Sequence, residues 1–268
     1  MKSTTRIIAD ICTNHMGDMR IAEAMIVAAA KAGVDIIKTQ SFHAERLNPQ
    51  WEDYENAKKR YTNLQLTREN HLHLMEVCKR NGVEYLSTAF DCDAADMLAD
   101  LGLKMVKIAS PDANNWELIE KCVARFASVI ISTGIHTHDE VNLLIDYLRA
   151  HHPWRWITLL HCVSEYPTSL GSVSMDNMLT LRRKWAPGAG FSDHTLGTEA
   201  GKLAIALGAD YLEKHFTLSN HLPGKDQEIS GTPEEFAELV RWRNLVDTMM
   251  QPCERSTKLA HYKSRWKP

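Results

Sequence analysis

Two phrases in the C-terminal third of the chain each set a histidine just past an apolar run. GFSDHTLG at 190–197 carries His194, and ADYLEKHF at 209–216 carries His215. Neutral imidazoles bind divalent ions through a ring nitrogen. Two of them are too few for a closed structural site, but they suit an open catalytic ion completed by water and a substrate oxygen, where the ion polarises a carbonyl. Lys38 and Lys107 follow or interrupt apolar runs and have hydroxyl residues near them. Ammonium groups neutralise phosphate or carboxylate, while hydroxyls and helix N-termini add directed hydrogen bonds. Together these types fit a phosphorylated or carboxylated metabolite. Each also has a plainer reading: His194 as a helix cap, His215 as its packing partner, the lysines as solvent-facing charges. The elements that position them decide.

Short β-branched runs alternate with longer periodic segments along the 268 residues. Strands are expected at 6–11, 34–40, 83–88, 103–110, 127–133, 154–162, 186–192 and 209–216. Helices are expected at 19–33, 67–82, 91–102, 114–126, 136–152, 174–185, 195–208 and 232–250. Gly33 and Gly82 stop the first two helices, Thr67 caps the second, and Thr232 with Glu235 makes a capping box for the last. The stretch PQWEDYENAKKRYTNLQL is charged and aromatic, an excursion above the domain. Eight such units in one chain of this size point to an α/β fold of the (β/α)8 TIM-barrel type. An open doubly wound sheet competes, but there is neither a GxGxxG opening nor a GxxxxGK[ST] loop. Residues 1–250 are expected to form the single catalytic barrel, and 251–268 a basic tail.

The formal charge of −3 supplies no overall field for nucleic acid or an anionic membrane. The six cysteines, Cys12, Cys78, Cys92, Cys122, Cys162 and Cys253, are scattered without a CxxC pair, which reads as reduced thiols. No leader-like or membrane-length apolar run is present, so a soluble cytoplasmic protein is expected.

In a barrel the C-terminal strand ends converge on one mouth. Here they supply Asp10, Asn14 and His15; Lys38 and Gln40; Ser87 and Thr88; Lys107, Ser110 and Asp112; Ser132 and Thr133; His161 and Ser164; Ser192 and His194; and Glu213, Lys214 and His215.

That set resembles the catalytic barrel of the N-acetylneuraminate (sialic acid) synthase family. The matching phrases, in family order over roughly residues 6 to 235, include IIADICTNHMGD, AAAKAGVDIIKTQSF, YTNLQLT, GVEYLSTAFD, VKIASPDANN, LLHCVSEYPT, GFSDHTLGTEA, ALGADYLEKHFTL and LPGKDQEIS. The resemblance implies metal-dependent condensation of phosphoenolpyruvate with an open-chain aldose, giving a 3-deoxy-2-ulosonic acid and phosphate. The ion implied is Mn2+, or Mg2+ or Co2+ in its place. Lys38, Thr88, Lys107, Ser110, Ser132, Ser164 and Ser192 would hold phosphoenolpyruvate, and His194 and His215 the metal. Asp10, Asn14, Gln40, Tyr166, Glu213 and Asp226 would line the sugar side. Asp112, in the place of a family glutamate assigned to water activation or proton transfer, would act with Glu213 and Asp10 in catalysis.

Three departures fall on the sugar half. Asp10 stands where the family usually has glutamate, LPGKDQ stands for LPGPDH, and the C-terminal antifreeze-like domain is not in this sequence. An acceptor other than N-acetylmannosamine is therefore expected, with N-acetylneuraminate synthesis itself as the alternative. A homodimer is the assembly relatives suggest, here without the domain that crosses between subunits. Two further readings remain open: an ulosonate aldolase using a Lys107 Schiff base, and a barrel that binds without catalysing.

Overall fold

The computed structural model describes residues 5–50, 53–153, 156–185 and 188–251. The expected tail from residue 252 on, Cys253, residues 51 and 52 of the charged excursion, and the first two residues of the strands expected from 154 and from 186 lie outside the described residues. Eight parallel strands close into a barrel in chain order. They are β1 (Arg6–Asp10), β2 (Ile36–Ser41), β3 (Glu84–Ala89), β4 (Met105–Ile108), β5 (Ser128–Ser132), β6 (Trp156–Cys162), β7 (Ala189–Asp193) and β8 (Tyr211–His215). Pairing of β1 with both β2 and β8 completes the ring, so the open sheet is excluded.

The surrounding helices are α1 (Met19–Ala32), α2 (Tyr54–Leu64), α3 (Arg68–Arg80), α4 (Cys92–Asp100), α5 (Trp116–Arg125), α6 (His138–His151), α7 (Asp176–Lys184), α8 (Glu199–Ala206) and α9 (Pro233–Met249). Their ends follow local chemistry. Gly33 takes φ 90° to stop α1, a left-handed conformation that costs glycine little. Thr67 with Asn70, and Thr232 with Glu235, close capping boxes on α3 and α9.

Among the described residues, the α-helix not expected from sequence is α2, which lies within the charged excursion. Ala57 is its single buried residue, so it carries no apolar stripe of the kind that announces a core helix. It is held from below by Phe42, whose ring meets Tyr61 edge-on at 5.3 Å.

Period-two alternation sorts the strands into two apolar layers. Ile7, Ile37, Val106, Ile131, Leu159 and Leu212 face outward into the large core beneath the helices. Ile8, Ile36, Leu86, Met105, Ile130, Leu160 and Tyr211 form a separate cluster, the floor of the barrel. On β7 the floor position is Gly190, where an added Cβ would lie 2.7 Å from Leu160 Cδ2; only a missing side chain lets the other seven close. Two residues further along each strand the floor gives way to Asp10, Lys38, Thr88, Lys107, Ser132, Cys162, Ser192 and Glu213. A dry floor below and a polar ring above is the arrangement that positions the site.

Candidate active site

The polar ring opens into a cavity of about 840 Å³ at the C-terminal ends of the strands. That volume is in the range of small-molecule sites. Its walls include Asp10, Lys38, Gln40, Thr88, Lys107, Ser110, Ser132, Ser164, Tyr166, Ser192, His194, Glu213, His215 and Asp226. Helix α2 adds Arg60, Tyr61 and Leu64 from above, and the loop after β8 adds Lys225 and Glu228.

At the base lies a buried network of opposite charges. Lys38 Nζ sits 2.7 Å from Asp10 Oδ2 and 3.7 Å from Glu213 Oε1, and it donates to Thr88 Oγ1 at 3.0 Å. Lys107 Nζ lies 3.6 Å from the same Glu213 oxygen and donates to Ser132 Oγ at 2.7 Å. Ser192 Oγ donates to Glu213 Oε1 at 3.1 Å. Burial by itself would raise the Glu213 carboxyl, but Lys107, Lys38 and His215 outweigh it and hold its pKa at about 2. Burial lowers the Lys107 ammonium, opposed by Glu213 and reinforced by Lys38. Burial also acts to lower Lys38, yet Asp10 and Glu213 carry the net shift upward. Glu213 Oε2 is buried with no hydrogen-bond partner among the described residues, so the network is left one bond short.

Asp10 behaves differently from a carboxylate free to meet a sugar. Its Oδ1 accepts the Cys12 amide at 2.9 Å while Oδ2 pairs with Lys38. Both oxygens thus have a partner within the protein, and the side chain also lines the cavity.

The two imidazoles stand side by side with ring centroids 5.7 Å apart, and Tyr166 lies over His194 at 4.2 Å. His194 Nδ1 donates to the Val163 carbonyl at 2.8 Å, which leaves the lone pair on Nε2. Burial first, then the proximity of His215, lowers the His194 pKa to about 3, so this ring is a neutral donor. His215 Nδ1 is buried without a partner. Cys12, His215 and Asp226 each bring a potential ligand atom to within 4.8 Å of the others. An orphaned imidazole nitrogen among nitrogen, carboxylate and thiol donors fits a divalent ion.

Two expected site residues stand apart from the cavity wall. Asn14 is buried and ties the loop after β1 to the loop after β8: its Nδ2 donates to the Phe216 carbonyl and to Ser230 Oγ, both at 2.9 Å. Asp112 closes the turn behind Ser110, where Asn115 Nδ2 donates to it at 3.3 Å and burial raises its carboxyl pKa. Ser110 itself, through its Oγ, accepts the Ile135 amide at 2.8 Å and so braces the loop after β5.

The strand-end set also needs correction where sequence could not tell in from out. Ser87 bonds Thr39 and Ser41 under α3, His161 bonds the Val173 carbonyl at 2.7 Å, and Lys214 pairs with Asp193 at 3.1 Å. These side chains face the helices because each is one residue out of phase with the inward positions. His15 is used within its own loop, accepting the Gly17 amide at 3.0 Å, and Thr133 Oγ1 donates to the Leu160 carbonyl at 3.2 Å. The same phase rule identifies Cys162, which sequence reasoning passed over between His161 and Ser164. Arg60 and Tyr61 gave no comparable signal, because α2 reaches the mouth through tertiary packing.

A closed barrel whose mouth combines buried lysines, hydroxyls, a shared carboxylate and paired imidazoles defines an enzyme of the TIM-barrel type acting on anionic small molecules. The NeuB family profile matches residues 25–254. The N,N'-diacetyllegionaminic acid synthase of Legionella pneumophila is 36% identical over 266 residues, covering 94% of this chain and 75% of that protein. The synthase of the same name from Campylobacter jejuni is 34% identical over 248 residues, covering 88% of this chain and 74% of that protein. Among solved structures, N-acetylneuraminic acid (sialic acid) synthetase from Leptospira borgpetersenii superposes with a TM-score of 0.88 at 30% identity, covering 97% of this chain and 90% of that one. The chain belongs to the NeuB family and is an enzyme of its carbon–carbon bond-forming class, the phosphoenolpyruvate-dependent synthases of 2-ulosonic acids. Among the described residues no helix is long and apolar enough to cross a membrane.

Proposed function

We propose that this barrel condenses phosphoenolpyruvate with an open-chain, N-acylated amino aldose other than N-acetylmannosamine, giving a 3-deoxy-2-ulosonic acid and phosphate. The observation that carries the reading is the Lys38–Glu213–Lys107 arrangement at the cavity base, with two ammonium groups sharing one carboxylate oxygen. Lys38 and Lys107 neutralise the phosphate and carboxylate of phosphoenolpyruvate, and Thr88, Ser110, Ser132, Ser164 and Ser192 add hydrogen bonds that orient it. Its arrival draws the ammonium groups toward the substrate and leaves Glu213 facing the reacting carbons.

The aldose enters above, between Gln40, Tyr166, Asp226 and the underside of α2, with Asn14 holding the two loops that bound it. A divalent ion held by His194 and His215, Mn2+ in the first instance with Mg2+ or Co2+ as alternatives, supplies polarisation of the aldehyde oxygen. C3 of phosphoenolpyruvate forms a bond to the aldehyde carbon, whose oxygen takes up a proton. Positive charge builds at C2, and Glu213 stabilises it. Water adds there and loses its proton to a carboxylate, and the C2–O bond to phosphate breaks as the ketone forms. Asp112, behind the cavity wall, would act on the reaction only through the Ser110 turn that it closes with Asn115. Asp10 keeps Lys38 charged and in place.

The choice of acceptor rests on Asp10 and on the relatives. A side chain one methylene shorter than glutamate folds back onto Lys38 and leaves room at the sugar side. Two relatives at 36% and 34% identity are synthases of an N,N'-diacetylated product. The test offers purified protein phosphoenolpyruvate, Mn2+ and a panel containing N-acetylmannosamine, diacetamido aldoses, mannose and arabinose, with phosphate release and product mass as readouts. The reading predicts a product three carbons longer than an N-acylated acceptor, and a kcat/KM for it at least equal to that for N-acetylmannosamine. A preference above roughly tenfold for N-acetylmannosamine over the whole panel contradicts the acceptor assignment. Borohydride trapping of protein-bound substrate on Lys107 would instead establish the Schiff-base aldolase.

A further inference from the structure

Cys12 is the first residue past β1, and it holds φ 37°, a left-handed backbone that a residue with a Cβ adopts against steric cost. Its amide is fixed by Asp10 Oδ1 at 2.9 Å, and its side chain is fully buried. That backbone turn sets the sulfur within 4.8 Å of ligand atoms on His215 and Asp226. His215 also has its Nδ1 buried with no hydrogen-bond partner among the described residues. A strained backbone that holds the sulfur in place, beside a residue with an unpartnered imidazole nitrogen, is the kind of arrangement a metal-ligating set uses.

We infer that Cys12 and Asp226 join His215, one of the two imidazoles assigned above to the divalent ion, as its protein ligands, and that the Cys12 sulfur turns the site toward thiophilic ions of the cobalt or zinc kind. The inference rests on the reading of this mouth as a metal centre and is independent of which aldose is condensed. Thiolate, imidazole and carboxylate form a mixed soft and borderline donor set. Such a set ranks zinc and cobalt well above manganese and magnesium, which favour oxygen donors. Binding would release one proton, that of the Cys12 thiol, as the sulfur–metal bond forms.

Cobalt(II) is the probe, because sulfur ligation gives an intense charge-transfer absorption in the near ultraviolet that nitrogen and oxygen ligation does not. Titration of the metal-free protein should saturate with that absorption present. It should be absent in C12S, which keeps the volume of the side chain, and in C12G, which also removes the positive-φ strain and so remains informative if C12S does not fold. C162S, which alters the other thiol at the mouth, should retain it. Competition should show the zinc-over-manganese preference falling ~10-fold or more in C12S. Saturable cobalt binding without the charge-transfer band in the wild type, persistence of the band in C12S and C12G, or no cobalt binding at all would each overturn the assignment. Loss of condensation with the band intact would instead count against the proposed reaction alone.

Discussion

Neighbouring residues of β8 carry two buried charge networks that point in opposite directions. Lys214 faces outward, where it pairs with Asp193 at 3.1 Å and donates to the Thr195 carbonyl. Asp193 Oδ1 in turn accepts from both the amide and the hydroxyl of Thr195. Glu213 faces inward, shared between Lys38 and Lys107 at 3.7 and 3.6 Å, with Oε2 unpartnered. Both are shielded from water, yet each Asp193 oxygen has a partner while one Glu213 oxygen has none among the described residues. A charge network that only supports the fold closes on itself. One that must receive a ligand keeps donors and acceptors in reserve, and the incomplete network is where the chemistry belongs.

Breaking the outer pair should cost the most stability. K214M leaves Asp193 buried and uncompensated, and urea unfolding should show a loss of about 3–5 kcal/mol. A loss under 1 kcal/mol would mean that the outer pair is not what braces β7 and β8 beneath α8.

The inner carboxylate should reveal itself through pH. Burial opposes the Glu213 charge, but Lys107, Lys38 and His215 bring its folded pKa to about 2, below the ordinary value of about 4.3. Its folded state therefore favours the ionised form. The stability this contributes is present in full above about pH 5 and is lost as pH falls toward 2, an effect on the order of 3 kcal/mol. The stability difference between the wild type and E213Q should narrow by that amount over this interval. A difference independent of pH would show that the two lysines do not govern Glu213.

A smaller effect is expected from S132A, which removes the hydroxyl accepting from Lys107 Nζ at 2.7 Å. Stability should change by about 1 kcal/mol, and affinity for phosphoenolpyruvate should fall roughly tenfold. An unchanged affinity would assign Ser132 to positioning Lys107 alone.

The barrel was legible because alternation of β-branched runs with capped periodic segments is a local property, readable along the chain. Lys38, Lys107, His194 and His215 were legible as strand-end residues for the same reason. The side a residue faces was harder, since a strand boundary misplaced by one position inverts its phase. Ser87, His161 and Lys214 are strand-end residues by sequence yet face the helices, while Cys162 is in phase with the mouth. Asn14 lies in a loop and Asp112 ends a short 3-10 turn at Ser110–Asp112, where the strand period no longer applies, and the structure places both behind the cavity wall. Helix α2 escaped because it buries Ala57 alone and its covering of the mouth depends on Phe42 meeting Tyr61, a contact between residues far apart in sequence. Cys12 gave no signal as a ligand, because its approach to His215 depends on barrel closure between β1 and β8.

The central claim is that the inward network binds phosphoenolpyruvate and the outward one does not. Titration calorimetry of phosphoenolpyruvate into the wild type, K107M and K214M tests it directly. Removing Lys107 should weaken binding by about 2–5 kcal/mol, roughly 30-fold to several-thousand-fold in Kd. K214M, measured where it remains folded, should bind within about threefold of the wild type, a difference under 1 kcal/mol. Equal affinities in K107M and the wild type, or an equal loss in both variants, would contradict the account.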